Sequence, residues 1–268
     1  MYIFYNGELI DDSELNMHQN NRAFQYGDGL FETMIYDHGD IKFTDLHQER
    51  LISGMNVLGY SLPEGITIDG IFDKLNDLVT LAGLTSARIR LQLWRKTGGL
   101  YTPTSNKVDI LATCRAHEEN NAMIKESVGI SEVVQLTSTP WSRFKTTSAM
   151  AYIQAGIEKT ARSLDELILL DQNGNISECT SSNLFWKIGE SYYTPSLDTG
   201  CIDGILRKHI INTLQENSVK INIGKYPLEA LEQASEVFTS NVTGTCPIRR
   251  IDSWSYNTNF SIRPLLAL

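Results

Sequence analysis

Apolar and polar positions along the chain fall into short alternating runs and a few runs with helical spacing. Tyr2-Ile3-Phe4-Tyr5 and Glu8-Leu9-Ile10 flank Asn6-Gly7, whose tolerance of positive φ predicts a tight hairpin. A second hairpin is expected where Phe31 to Tyr36 and Asp40 to Phe43 flank Asp37-His38-Gly39. Asp45 then reads as the cap of a helix through Leu46, Arg50, Leu51 and Met55. Ile71, Leu75, Leu78 and Leu81 recur at helical intervals and predict a helix from Thr67 to Leu81. Ala87 to Trp94 and Lys107 to Cys114 read as strands on either side of a turn-rich segment, which makes residues 1–117 an α/β domain.

Between His117 and Glu126 the pattern becomes polar, with Glu118-Glu119-Asn120-Asn121, and residues 118–126 read as a linker to a second domain over 127–268. That domain opens with a strand over Val128 to Gln135, followed by Lys145 at the start of a helix running to about Arg162. Glu166 to Leu170 and Asn175 to Glu178 flank the turn residues Gln172-Asn173-Gly174. A further pair, Asn183 to Lys187 and Ser191 to Thr194, precedes a helix from Gly204 to about Gln215, and Glu236 to Thr239 is the last clear strand. No internal repeat is visible.

Composition narrows the function. A formal net charge of -9 argues against a nucleic-acid surface, which needs clustered Lys and Arg, so any bound phosphate must be held locally. Four cysteines, Cys114, Cys179, Cys201 and Cys246, lie far apart with no CxxC pair, which points away from zinc or a disulfide framework and towards reduced thiols in a cytoplasm. A calcium loop at Asp171 fails, with Ile176 at the required glycine and Ser182 at the required glutamate. No apolar run approaches the roughly 20 residues of a membrane helix, and a soluble, unprocessed chain is expected.

Several residues could carry chemistry. Lys145 sits beside Phe144, Trp141 and Thr146-Thr147-Ser148; partial burial would favour the neutral amine that attacks an aldehyde, although a solvated lysine fits the same pattern. Glu178 is either an exposed edge-strand acid or an inward carboxylate in need of a cationic partner, such as a protonated pyridine nitrogen. Gly204-Ile205-Leu206-Arg207 opens a helix whose first amides suit an anion, with Asp203 obliged to point away; a plain capped helix reads the same. The Thr239-to-Thr245 loop offers hydroxyls and amides to phosphate oxygens, or is only a polar loop. Arg50 either supplies a fixed positive charge or pairs with Glu49 or Asp45 on the surface. A dinucleotide fingerprint, a P-loop and a GxSxG elbow are absent.

Taken in order, these segments resemble the class IV aminotransferases, fold type IV among pyridoxal-phosphate enzymes, a family that includes branched-chain aminotransferase, D-amino-acid aminotransferase and aminodeoxychorismate lyase. The marks span nearly the whole chain: Phe24-Gln25-Tyr26-Gly27-Asp28-Gly29-Leu30-Phe31-Glu32, His47 with Arg50-Leu51, Arg95, Phe144-Lys145, Asp171 to Gly174 and Ile176-Ser177-Glu178. They continue with Ser182-Asn183-Leu184-Phe185, Tyr193-Thr194-Pro195, Gly204 to Arg207 and Phe238-Thr239-Ser240-Asn241.

The resemblance implies a pyridoxal 5'-phosphate cofactor with Lys145 as the Schiff-base lysine and proton shuttle, and Glu178 on the pyridine nitrogen. Arg50, the Ile205 and Leu206 amides, and Asn241 with Val242 would hold the phosphate; Phe31 and Arg95 would lie on the substrate side. It implies a mixed α/β and α+β fold of two domains: a smaller N-terminal α/β domain, and a larger C-terminal pseudo-barrel domain that carries the Schiff-base lysine. The cofactor would lie between them, in a homodimer.

Departures limit the choice of substrate. Asparagine three residues after the lysine is replaced by Ser148, and the tyrosine that branched-chain enzymes place five residues after it is Met150. Gly98-Gly99-Leu100-Tyr101 has no counterpart of the arginine-histidine pair of D-amino-acid enzymes. Ser182 to Trp186 and Tyr193 to Pro195 resemble the lyase, whose arginine after the paired glycines is here Leu100. The expected activity is transfer of an amino group between an amino acid, with branched-chain amino acids among the candidates, and a 2-oxo acid. The alternative is release of pyruvate from aminodeoxychorismate to give 4-aminobenzoate. A non-catalytic cofactor-binding protein would be expected to lack Lys145 or Glu178, and both are present.

Overall fold

A computed structural model describes residues 1–118, 124–259 and 262. Part of the expected linker, residues 119–123, lies outside the described residues. The chain divides into two compact units, Met1–Glu119 with Phe144–Ala149, and Asn120–Arg143 with Met150–Leu268.

The first unit is built on a six-stranded sheet in the order β2-β1-β6-β5-β3-β4. Its strands are β1 (Tyr2–Tyr5), β2 (Glu8–Asp11), β3 (Gly29–Asp37), β4 (Asp40–Ile41), β5 (Ser86–Arg95) and β6 (Val108–Ala116). All its pairings are antiparallel. Its helices are α1 (Arg22–Tyr26), α2 (Thr44–Leu58) and α3 (Ile68–Leu81). Side chains alternate across a strand, so Ala87, Ile89, Leu91 and Leu93 of β5 share one face with Leu30 and Met34 of β3. That face forms a buried core with Leu51 and Met55 of α2 and Leu75 and Leu78 of α3. Burying each such side chain contributes roughly 1.5–3 kcal/mol.

Helix starts show where local chemistry decided and where it did not. Thr67, where the helix is expected to begin, caps α3, its hydroxyl accepting from the Gly70 amide at 3.1 Å. Asp45 is not the cap of α2: the cap is Phe43 at φ 60°, two residues earlier, and Asp45 lies in the first turn. There its charge still favours the positive end of the helix dipole.

The expectation that Lys145 opens a helix is corrected, because α4 begins only at Met150 (Met150–Ala161). The preceding backbone is used elsewhere: the Lys145 carbonyl accepts from Phe31 N–H at 2.8 Å, and Thr147 N–H donates to the Gly29 carbonyl at 2.9 Å. Phe144–Ala149 therefore clusters with the first unit, although sequence reasoning leaves it with residues 127–268.

The second unit holds two five-stranded sheets. Its strands are β7 (Val128–Leu136), β8 (Glu166–Asp171), β9 (Ile176–Cys179), β10 (Asn183–Ile188), β11 (Ser191–Pro195), β12 (Ile221–Gly224), β13 (Glu236–Asn241), β14 (Gly244–Pro247), β15 (Arg250–Ile251) and β16 (Trp254–Ser255). One sheet runs β12-β11-β10-β13-β14 and the other β16-β15-β7-β8-β9. Ile168, Ile176, Leu184, Trp186 and Val237 join the two sheets in a common core. The parallel pair β7 and β8 needs a crossover, which α4 supplies. The second helix of this unit is α5 (Ile205–Glu216). Glu236 to Thr239 is not the last strand, because β14, β15 and β16 follow it. They are short, and β15 pairs in parallel with β7, more than a hundred residues away, a partner that no local pattern announces.

Candidate active site

In the first unit the site residues cluster where α2 meets β3. Glu32 lies on the helix-facing side of β3, between Leu30 and Met34, so a carboxylate is buried among apolar neighbours at 3% exposure. Such burial is costly without partners. His47 and Arg50, one turn apart on α2, supply them. Arg50 Nε donates to Glu32 Oε1 at 2.8 Å, a second Arg50 nitrogen donates to Oε2, and His47 Nδ1 lies 2.7 Å from Oε2.

Burial alone would raise the Glu32 pKa, but the Arg50 charge and the His47 hydrogen bond outweigh it and hold the carboxyl at about 2. Burial lowers the His47 pKa, against the raising effect of Glu32, so its imidazole is neutral; facing a carboxylate, Nδ1 carries the proton. His47 Nε2 is then a buried acceptor with no partner among the described residues. Gly54, one turn beyond Arg50, lets α2 lie close here: a Cβ would come within 2.9 Å of Leu30 and 3.3 Å of the Phe144 ring.

Lys145 is half-buried beside this cluster. Its Nζ is 5.1 Å from the centroid of the Phe31 ring, and the Arg90 guanidinium carbon is 4.0 Å from the same centroid. Phe31 and Lys145, singled out from the sequence, are thus brought together. Arg95 is placed differently. It is buried, with Nε donating to Asp28 Oδ2 at 3.1 Å, one terminal nitrogen to Asn106 Oδ1 and the other to the Leu58 carbonyl at 2.8 Å. These bonds brace the turn at Asp28, which Arg22 also holds at 2.8 Å, and they lend no support to the substrate-side position implied for Arg95.

In the second unit Glu178 is buried at 3% exposure, which removes the reading of an exposed edge-strand acid. The Tyr152 hydroxyl donates to its Oε1 at 2.6 Å and Asn183 Nδ2 donates to its Oε2 at 3.2 Å. Strict alternation would put Glu178 and Cys179 on opposite faces, one of them exposed. Both are buried, because β9 is covered on both faces and its pairing with β8 shifts register between Leu169 and Leu170.

The start of α5 fits an anion. Its N-cap, Gly204, makes no side-chain capping bond, which leaves the first-turn amides of Ile205 and Leu206 to another acceptor. A larger residue at 204 would have to displace Asn183, since a Cβ would lie 2.0 Å from its Oδ1. Asp203 does point away, into ion pairs with Arg143 at 3.5 Å and Arg207 at 3.2 Å. Asn241 ends β13 above the two-residue turn Val242-Thr243, its Oδ1 accepting from Thr243 N–H at 2.9 Å and its Nδ2 donating to the Ser181 carbonyl at 3.3 Å. Among the described residues, Thr180 Oγ1, Ser240 Oγ and Arg207 Nε are buried without a partner. An uncapped helix start, the orphaned polar groups of Thr180, Ser240 and Arg207, and a buried carboxylate fit a phosphorylated cationic heterocycle. The cysteines are free thiols, and Cys201 is pushed up to about 12 by burial with Glu178 nearby, so it is no thiolate nucleophile.

Sequence reasoning assigned no role to Glu32, His47, Tyr152 or Asn183. For Glu32 the signal was present: an acid at the buried phase of the alternating run Leu30 to Met34 needs a partner. For Tyr152 there was none, because its contact with Glu178 depends on how a helix lies over a sheet.

The fold and this residue set define a two-domain enzyme of mixed α/β architecture. Residues 29–251 match the model of the amino-transferase class IV family, and the chain belongs to that family. It is 26% identical over 261 residues to the aminodeoxychorismate lyase of Bacillus subtilis, covering 96% of this chain and 88% of that one. It is 27% identical over 264 residues to the branched-chain-amino-acid aminotransferase of Escherichia coli K12, covering 94% and 85%. The branched-chain amino acid aminotransferase of T.th., solved with N-(5'-phosphopyridoxyl)-L-glutamate, shares the fold with a TM-score of 0.85 at 20% identity, over 96% of this chain and 87% of that one. Among the described residues no helix is long and apolar enough to cross a membrane, and no cluster of side chains suits a metal ion.

Proposed function

We propose that this chain is a pyridoxal-phosphate-dependent aminotransferase that moves an amino group between an amino acid, with branched-chain amino acids among the candidates, and a 2-oxo acid. The observation that carries the reading is Lys145, half-buried beside the Phe31 ring with its backbone pinned to β3. When bound, the cofactor supplies an aldehyde that takes an amine and a ring that withdraws electrons from the substrate Cα. Lys145 Nζ would hold the cofactor and, once freed, would act as the base that takes a proton from the substrate Cα and as the acid that delivers it to the cofactor side. Glu178 would partner the ring nitrogen and favour its protonated form. Arg50, the Ile205 and Leu206 amides, Asn241 and Val242 hold the phosphate, and Phe31 lines the substrate side. The Glu32 carboxylate fixes the Arg50 guanidinium, so that its charge is set before the phosphate arrives.

The likeness to the Bacillus subtilis enzyme supports a second reading, loss of pyruvate from aminodeoxychorismate to leave 4-aminobenzoate, with Lys145 again moving the proton. The two separate on one requirement: the aminotransferase needs a 2-oxo acid acceptor and the lyase does not. A homodimer in the cytoplasm completes the proposal, and sedimentation of the purified chain tests the first part of it.

The deciding experiment is the visible spectrum of the purified protein with a panel of amino acids, with and without 2-oxo acids, and with aminodeoxychorismate. A borohydride-sensitive band, lost in Lys145→Ala, that turns over an amino acid only when a 2-oxo acid is present supports the aminotransferase. Pyruvate formed without an acceptor supports the lyase. A protein that binds no pyridoxal phosphate overturns both.

A further inference from the structure

The reading above gives Tyr152 no role, yet its hydroxyl makes the shortest hydrogen bond described to the Glu178 carboxylate, at 2.6 Å. Helix α4 lies on the parallel pair β7 and β8, and the Tyr152 ring packs with Val134, Leu136 and Leu169. Leu169 is the register partner of Glu178 on the next strand, so a ring placed over Leu169 carries its hydroxyl to that carboxylate. Burial, with the Glu178 charge adding to it, pushes the Tyr152 phenol well above its ordinary range. The group therefore stays protonated and donates across the neutral range.

Asn183 holds the other oxygen, and its Nδ2 also donates to the Ile202 carbonyl at 2.8 Å, just before α5. An O–H donor to an ionised acceptor is among the stronger hydrogen bonds, about twice the strength of a neutral pair. It stabilises the carboxylate form and fixes the rotation of the carboxyl plane.

We propose that Tyr152 is a positioning residue that orients Glu178 and keeps it a carboxylate for the pyridine nitrogen, an inference that rests on the pyridoxal-phosphate reading for the identity of that nitrogen. Tyr152→Phe keeps the ring packing and removes only the donor. In the protein without cofactor, the Glu178 carboxyl, followed by carbon NMR and assigned by its disappearance in Glu178→Gln, is expected to titrate at higher pH in Tyr152→Phe. In the loaded protein the dissociation constant of pyridoxal phosphate is expected to rise about tenfold, the scale of one hydrogen bond to a charged group. In a Glu178→Gln background the same substitution is expected to raise that constant much less, since the amide oxygen still accepts from the phenol but carries no charge for it to stabilise.

An unmoved carboxyl titration overturns the proposal, as does an equal loss of affinity in the Glu178→Gln background, which would make Tyr152 a packing residue only. Should Tyr152→Phe not fold, 3-fluorotyrosine at 152, a stronger donor, must move the titration to lower pH, and no movement overturns the proposal. The titration needs no cofactor, so it decides the role of Tyr152 separately, whereas a wild-type chain that takes up no pyridoxal phosphate removes the reading beneath it.

Discussion

Two buried carboxylates, one in each unit, are satisfied in different ways. Glu32 is held by a guanidinium and an imidazole from a single helix. Glu178 is held by a phenol and a carboxamide, both neutral donors. In the first unit an internal cation compensates the charge, and the pair works as a fixed structural element whose outer partner, Arg50, can present positive charge to an anion. In the second, the two donors described are neutral dipoles, and the proposed role of the carboxylate is to meet the cationic ring nitrogen. The difference teaches that equal burial, 3% exposure for each, does not imply equal surroundings: a guanidinium meets one carboxylate, while a phenol and a carboxamide donate to the other.

The largest expected effect follows from breaking the charged cluster. Glu32→Gln leaves Arg50 buried without its counterion and is expected to lower unfolding stability by about 3–5 kcal/mol, measured by denaturant titration. The same variant tests a pH dependence. The Glu32 carboxyl is held at about 2 in the folded chain, against an ordinary 4.5, so the stability it contributes is present above 4.5 and is lost as pH falls towards 2. Wild type is expected to lose stability steeply across that window and Glu32→Gln much less; parallel acid slopes for the two proteins would rule out the assignment.

Glu178→Gln is expected to show the opposite balance, costing about 1–2 kcal/mol of stability because one acceptor becomes a donor facing Asn183. Its turnover should fall on the order of 10²–10³-fold, the scale of removing one preorganised electrostatic group. Near-normal turnover in a folded Glu178→Gln protein would move the ring nitrogen away from this residue. Gly204→Ala, which forces a Cβ to within 2.0 Å of Asn183 Oδ1, is expected to cost about 1–3 kcal/mol and to speed loss of the cofactor on dialysis. If it leaves cofactor retention unchanged, the start of α5 is not the phosphate site. The smallest effect calibrates the rest: Thr67→Ala removes an exposed cap that bonds to neither carboxylate and is expected to cost about 1 kcal/mol with no change in turnover.

Much of this could be read from the chain before any coordinates. The hairpin at Asn6-Gly7, the helix expected from Thr67 and the strands from Ala87 and from Val128 follow from local conformational preference and alternation, and the structure has all of them. The ordered motifs carried the family, because they record chemistry that tolerates few residue types at each point. Local preference failed where distant backbone competed for the same groups. The segment after Lys145 has the composition of a helix start, but its amides and carbonyls are engaged by β3 instead.

By itself the sequence determined the period of each element, the placement of its turns and the order in which a lysine, an acid and a helix opened by glycine follow one another. Those features depend on neighbours within a few residues. Only the tertiary structure decided that Glu32 belongs with His47 and Arg50, that Arg95 braces a turn, and that Tyr152 reaches Glu178. Each of these depends on which faces meet once helices pack on sheets. The cost of burying a charge is then met by whichever donor that packing brings within about 3 Å, and residues distant along the chain are brought together by apolar burial, which has no direction of its own.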